Sequence, residues 1–344
     1  MSQKLLTPSY LEKQFNSQGY TCINPHNIVN PQKDTVFVTA GIQSILQDVT
    51  TGTLQPAEKI HINQPVIRTQ SINSLDEFWA LAFINSTTAA INNSHETHLK
   101  LVNDWFDIFF ELGFKKESFS TKEEEYEGIW GDITVKGIKT FHYYKDPKAG
   151  FELELGDTTF YHQATSETKN LKFDTFSDLG FGLERLRWWT NPNSSYYDLY
   201  SKTKQIDPRS KALISSLALL AVNQVEPSNK DAGYRARQFS KLLVSHIGIN
   251  GLPKELDNYL NECINYWITW QKQPHPDINT CREKILNELT RNENREIINR
   301  LQEEGYPNIT GIDINTSRID FYTRLNHAGI NKKTLRKVIN NDQK

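Results

Sequence analysis

Ser177-Asp178-Leu179-Gly180-Phe181-Gly182-Leu183-Glu184-Arg185-Leu186 is the stretch on which the reading of this chain turns. Its pattern predicts the end of a strand, a glycine-hinged turn and the first turns of a helix. Gly180 and Gly182 allow close backbone approach or a positive φ, where a Cβ would clash. Leu183, Leu186 and Trp189 recur at helical spacing, so this helix can bury one face. Glu184 and Arg185 begin the helix, and Asp178 lies just upstream. A carboxylate, two glycines and a Glu-Arg pair at such a junction suit a phosphate or an amine. The G-x-G-x-x-G pattern fails at its last glycine, and no Gly-Lys-Ser/Thr follows. Neither a dinucleotide fingerprint nor a Walker A loop is therefore present. Taken alone, the decapeptide also fits a surface helix with a solvated Glu-Arg pair.

Two further stretches narrow the reading. One is Asn30-Pro31-Gln32-Lys33-Asp34-Thr35-Val36-Phe37-Val38-Thr39-Ala40-Gly41-Ile42. The other is Pro227-Ser228-Asn229-Lys230-Asp231-Ala232-Gly233-Tyr234-Arg235-Ala236-Arg237. With the first stretch they resemble, in order, the catalytic core of alanyl-tRNA synthetase, a class II aminoacyl-tRNA synthetase, over about residues 5 to 245. The resemblance implies an α+β fold: an antiparallel class II synthetase-like sheet flanked by helices, then a helical domain. The implied domains are 1–200, catalytic, and 201–344, helical and acceptor-binding.

Composition bounds the rest. The 344 residues allow one large domain or two ordinary ones. Charged residues make up 23% and the net charge is −2, so no global attraction for nucleic acid exists and RNA contact needs a local basic patch. Seven Trp, 14 Tyr and 17 Phe supply bulk for a core. Cys22, Cys263 and Cys281 are odd in number and scattered, which predicts a reducing compartment without a disulfide frame. The sequence has no run of apolar residues long enough for a membrane span, and a cytoplasmic protein is expected.

Along the chain, Leu11 to Asn16 reads as an opening helix and Tyr20 to Ile23 as a short strand. Thr35 to Thr39 reads as an apolar strand. Pro65 to Arg68 and Phe78 to Phe83 read as two strands joined by Thr69 to Glu77. Ser94 can cap a helix whose apolar stripe is Leu99, Val102, Trp105, Phe106, Phe109 and Leu112, ended by Gly113. His95 and His98 on that helix could share a metal, but no third ligand stands near in sequence. Lys122 to Glu127 reads as a solvated acidic loop. The alternation in Phe151 to Leu155 predicts a half-buried strand. Ala212 to Val222 and Tyr234 to Val244 read as helices, and the Asn- and Lys-rich end after Gly329 as a frayed terminus.

The resemblance assigns roles to particular residues. Arg68 corresponds to the arginine that grips the α-phosphate of ATP, and Phe78 or Trp79 to the aromatic that stacks on adenine. A guanidinium fork suits phosphate oxygens. Asp178, with Gly180 beside it, corresponds to the aspartate that pairs with the amino group of alanine. Trp130 falls near a tryptophan that walls the alanine pocket, and Arg185 corresponds to the arginine that neutralises the γ-phosphate. Glu154-Leu155-Gly156-Asp157-Thr158-Thr159-Phe160 matches a Glu-x-x-Asn-x-x-Phe stretch, with Asp157 in the asparagine's place. Glu154 and Asp157 can hold Mg²⁺, which takes few protein ligands. Arg235, Arg237 and Lys241 lie where the tRNA acceptor stem is received.

Three departures stand out. The Thr69 to Glu77 loop is short, Ala80 replaces a glutamate, and a Gly-Pro-Cys-Gly-Pro-Cys run is missing. The editing and C-terminal domains of the family have no counterpart in this sequence. The function implied is ATP-dependent activation of alanine or another small amino acid as an aminoacyl-adenylate, then transfer to tRNA or another acyl acceptor. The rival reading is a non-catalytic paralogue that binds tRNA or a protein partner and regulates.

Overall fold

Alternating apolar and β-branched runs build the first part of this molecule into one large sheet. The structure is a computed structural model that describes residues 6–30, 35–53, 58–70, 72, 80–130, 132–145, 151–168, 170–190, 206–272 and 274–340. The chain divides into two compact units, Met1–Leu199 and Tyr200–Lys344.

The strands of the first unit are β1 (Thr21–Ile23), β2 (Lys59–Ile67), β3 (Ala82–Ile91), β4 (Phe119–Trp130), β5 (Ile133–Lys145), β6 (Glu152–Ser166) and β7 (Phe176–Gly182). Among the described residues they form a seven-stranded sheet in the order β1-β2-β3-β7-β6-β5-β4. β1 and β2 pair in parallel and every other pair is antiparallel. This is the antiparallel sheet with flanking helices that the sequence implies.

Directly opposed residues share a sheet face, so the register sorts side chains into rows. One row runs Ile60, Ala89, Asp178, Thr159, Lys139. The next on the same face runs Ile62, Thr87, Gly180, Asp157, Phe141. Part of this face is covered by α2 (Gly41–Thr51), whose Ile42, Ile45 and Val49 pack with Ile60, Ile62 and Phe176. The opposite face packs on α3 (His95–Glu111), where Trp105 lies 4.6 Å and Phe109 5.1 Å from the Phe181 ring. Both helical aromatics are fully buried, and each such side chain stabilises the fold by roughly 2–3 kcal/mol.

Local signals set the helix ends. In α1 (Pro8–Ser17), Thr7 Oγ1 accepts from Tyr10 N at 3.1 Å, and Ser94 Oγ accepts from Thr97 N at 3.2 Å at the start of α3. Gly52 closes α2 at φ 74, a backbone angle that favours glycine. The α3 stripe differs from the expected one. His98, Leu101 and Ile108 are buried with Trp105 and Phe109, whereas Leu99 is 49% exposed.

Several expectations are corrected. Thr35 to Thr39 does not form a strand; Phe37 makes an isolated bridge to Val29, and Val38 N donates to Ile28 O at 2.8 Å. The acidic run Lys122 to Glu127 is no loop but the middle of edge strand β4, paired throughout with β5. Backbone pairing suffices there because most of its side chains stay solvated on both faces. Gly180 and Gly182 lie inside β7 without positive φ, and α4 (Leu183–Thr190) follows directly, so no separate turn exists.

In the second unit, α5 (Pro208–Val222) is buried from Ser210 to Val222. Asp207 caps it, accepting from Ser210 N at 2.9 Å. It is packed by α6 (Asp231–Ile247), α7 (Lys254–Trp270) and α8 (Ile278–Glu303). α9 (Arg318–His327) and α10 (Lys332–Asn340) follow, so of the stretch after Gly329 expected to fray, 332–340 is helical and 341–344 lies outside the described residues. Among the described residues no helix is long and apolar enough to cross a membrane.

Candidate active site

A cavity of about 590 Å³ opens on the α2-bearing face of the sheet. Arg68, Trp130, Glu154, Asp157, Asp178, Gly180 and Arg185 all line it. Residues far apart in sequence thus converge. Phe78 and Trp79 lie outside the described residues.

Arg68 directly follows β2. Its Nε donates to the carbonyl oxygen of Thr39 at 3.0 Å, and its guanidinium lies 5.0 Å from the centroid of Phe83. Burial lowers its pKa from the ordinary guanidinium value, while Asp157, Glu154 and Asp178 oppose that shift. Phe83 also lines the cavity. Sequence reading placed it only at the end of a return strand; in the structure its ring lies beside the Arg68 guanidinium in the cavity wall. The pairing of a fixed cation and an aromatic plane was not legible because it depends on the β2–β3 register, Val66 opposite Phe83.

Asp178 stands on the cavity floor in β7. Its Oδ1 is buried with no hydrogen-bond partner among the described residues. Burial pushes the carboxyl up to about 7, Asp157 pushes the same way, and Lys139 and Arg68 oppose. An uncompensated carboxylate oxygen in such a place is strained until a donor arrives. A substrate ammonium would satisfy it.

The carboxylates of β6 reach the same face through a bulge. His142 opposes Gly156, but Tyr143 opposes Glu154, so Leu155 is the extra residue. Glu154 and Asp157 are three apart and would otherwise face opposite sides; the bulge brings both to the cavity. Burial raises the Glu154 pKa against the pull of Arg185. Asp157 Oδ1 lies 3.3 Å from Lys139 Nζ. Lys139 is a cation that sequence reading missed. It sits 4.9 Å from the Tyr126 ring and 5.5 Å from the Phe141 ring, and β5 position 139 shares its row with Asp178.

Close backbone approach shapes the floor. A Cβ on Gly156 would stand 2.1 Å from the carbonyl oxygen of Gly180. A Cβ on Gly180 would meet Asn85 Nδ2 at 3.1 Å. Asn85 also lines the cavity, and its Oδ1 accepts from Gly41 N at 2.8 Å, which fixes the start of α2 above the floor.

Arg185 and Glu184 take different roles. Arg185, at the first turn of α4, lines the cavity and donates from Nη1 to the carbonyl oxygen of Glu154. Glu184 points the other way and is fully buried; its Oε2 accepts from Ile84 N at 2.9 Å. The solvated Glu-Arg pair considered from the sequence is therefore not formed. Trp130 closes one side, 5.1 Å from the Tyr161 ring and 5.2 Å from the Phe176 ring.

No group of three or more His, Cys, Asp or Glu side chains that could hold a metal occurs among the described residues. His98 is instead engaged with Ser177, Nδ1 to Oγ 2.9 Å, behind the cavity floor. For Mg²⁺, Glu154 and Asp157 offer carboxylates on one face, which fits an ion that takes one or two carboxylates and completes its shell with phosphates and water.

In the second unit the three cations expected on α6 lie on that one helix with different surroundings. Arg235 Nη1 donates to Gln238 at 2.7 Å. Arg237 turns toward α8, with Nε 3.7 Å from Glu288 Oε1, and Lys241 is exposed. Arg237 lines a second cavity of about 610 Å³ with Lys284, Arg291 and Arg318. Lys284 pairs with Glu226, Arg291 with Glu288 at 2.9 Å and Arg318 with Glu293 at 2.7 Å.

No family model matches the chain. No curated protein matches it either. Among solved structures the chain is similar to Giardia lamblia prolyl-tRNA synthetase in complex with prolyl-adenylate, at 9% identity and a TM-score of 0.38. That match covers 54% of this chain and 45% of the prolyl enzyme, so it spans under half of the latter. It is also similar to Desulfitobacterium hafniense PylSc, a pyrrolysyl tRNA synthetase, at 15% identity and a TM-score of 0.39, over 55% of this chain and 69% of that one.

Proposed function

We propose that the chain activates an α-amino acid with ATP, forming an aminoacyl-adenylate and pyrophosphate, and passes the acyl group to tRNA or another acceptor. Alanine or another small amino acid is the substrate proposed. The observation that carries this reading is the buried Asp178 Oδ1, without a hydrogen-bond partner among the described residues, sharing one cavity with the guanidinium groups of Arg68 and Arg185. Asp178 receives the substrate ammonium. Arg68 steadies the α-phosphate and the attacking carboxylate, and Arg185 the γ-phosphate. Phe83 offers a face to adenine. Glu154, with Asp157, would hold Mg²⁺, which supplies charge neutralisation on the phosphates. No side-chain base is required, because a carboxylate nucleophile is already ionised; the chain's part is positioning and charge stabilisation.

ATP–pyrophosphate exchange with a panel of amino acids tests the reading. Exchange that depends on one small amino acid supports it, and no exchange with any of them counts against it. A second reading is favoured by Ala80, which lines the cavity where the resembled family carries a carboxylate. On that reading the chain is a non-catalytic regulator that binds tRNA or a protein partner. Calorimetry with ATP and Mg²⁺ separates the two: ATP binding abolished by Arg185→Ala speaks for the enzyme.

A further inference from the structure

Cys22, His61 and Ser86 form a chain of contacts away from the cavity. Cys22 on β1 is the register partner of His61 on β2. Cys22 Sγ lies 3.5 Å from His61 Nδ1, and His61 Nε2 lies 3.0 Å from Ser86 Oγ. The Phe15 ring covers the imidazole at 4.5 Å. His61 and Ser86 are closed to solvent, whereas Cys22 is half-buried. The sulfur is also 3.5 Å from the carbonyl oxygen of Glu12. Cys263 and Cys281 are different: both are buried, and burial raises each above the ordinary thiol range. Of the three thiols, Cys22 alone combines access with an adjacent imidazole.

Nucleophile, base and orienting group in this order are the parts of an activated nucleophile. We propose that Cys22 is a modification site for small disulfides, with His61 as its base and Ser86 fixing the imidazole. When Nε2–H donates to Ser86 Oγ, Nδ1 is left as the acceptor facing the thiol. Nδ1 takes the thiol proton, and the sulfur attacks one sulfur of the incoming disulfide. A new S–S bond to Cys22 forms as the old one breaks. The leaving thiolate then takes the proton from the imidazolium, so His61 returns to its starting form. One disulfide is exchanged for another, and no further oxidant is needed. Neither Cys22 nor His61 lines the cavity around Asp178, so this site stands independently of the function proposed above.

The test uses the full chain with oxidised glutathione at pH 7, followed by peptide mapping. The mixed disulfide is expected at Cys22 before the other two thiols, at a rate about tenfold above that of free cysteine in the same buffer. His61→Gln should bring the rate to that of free cysteine or below. His61 is fully buried, so Ser86→Ala serves where His61→Gln does not fold, and it should slow the reaction while leaving the imidazole in place. A wild-type rate at or below that of free cysteine overturns the proposal. So does a wild-type rate retained by whichever of the two variants folds.

Discussion

Glu184 Oε2 accepts a hydrogen bond from the backbone N–H of Ile84 at 2.9 Å, wholly shielded from solvent. This contact ties the first turn of α4 to β3, and so it sets where the next residue, Arg185, enters the cavity. Removing the carboxylate leaves a buried donor unpaired. Glu184→Ala is expected to cost about 2 kcal/mol in urea unfolding, whereas Glu184→Gln, which keeps an acceptor, should cost clearly less. Equal losses in the two variants would show that the hydrogen bond is unimportant.

Asp178 links stability to the amine-binding role proposed for it. Burial first, then Asp157, raises its carboxyl to about 7 from the ordinary 3.8. The folded chain therefore binds a proton that the unfolded chain releases between these values. Its favourable contribution is fully present below the lower value and is lost as pH rises through about 7. Asp178→Asn is expected to stabilise the ligand-free protein at pH 8 by an amount on the order of 3 kcal/mol, with little effect at pH 4, while abolishing amino-acid-dependent exchange. Urea midpoints at the two pH values measure the first effect. In the wild type, amine affinity should rise about tenfold from pH 6 to pH 8 as the carboxylate forms.

Two buried histidines act with the opposite sign. Burial lowers both His98 and His142 to about 4 from the ordinary 6.5. The unfolded chain takes up protons in that window and the folded chain resists them, so stability falls as pH drops from about 6.5 toward 4. His142→Gln should flatten part of this fall in thermal melts. An unchanged slope would mean that His142 protonates freely in the folded state.

Gly156→Ala tests the cavity floor. The added methyl would sit 2.1 Å from a backbone oxygen, that of Gly180, which has no side-chain freedom to yield. A loss of about 3 kcal/mol or more is expected, read by urea unfolding. Gly182→Ala is the control, since the nearest atom to its Cβ is 3.7 Å away, and it should fold nearly as the wild type does.

Arg68→Lys keeps the charge but removes the planar fork that bonds Thr39 and lies over Phe83. Exchange is expected to drop by about a hundredfold. A lysine variant that works as well as the wild type would remove Arg68 from the phosphate site.

The strand-to-helix junction at Asp178–Arg185 was legible because composition and spacing there are unusual together. Asp178, Arg185 and Arg68 could be singled out by residue type and order. Their convergence on one cavity is set by register, which short-range pattern does not carry. Lys139 illustrates this: nothing in its neighbours distinguishes it, yet the pairing of β5 with β6 sets it 3.3 Å from Asp157. The bulge at Leu155 was equally hidden, since it exists only as a mismatch between two strands. The acidic run of β4 misled for a related reason. Charge density usually marks a loop, but a strand at the rim of a sheet can keep its side chains in water on both faces.

That rim has a consequence for how copies of this chain behave at high concentration. Among the described residues no strand pairs with the outer edge of β4, which leaves a long line of main-chain donors and acceptors there. Glu123, Glu124, Glu125 and Glu127 crowd its middle. An approaching second β4 would set like charges against one another before any ladder could close. The mutual repulsion guards the protein against zipping into fibrous aggregates, and neutralising these glutamates should remove that protection.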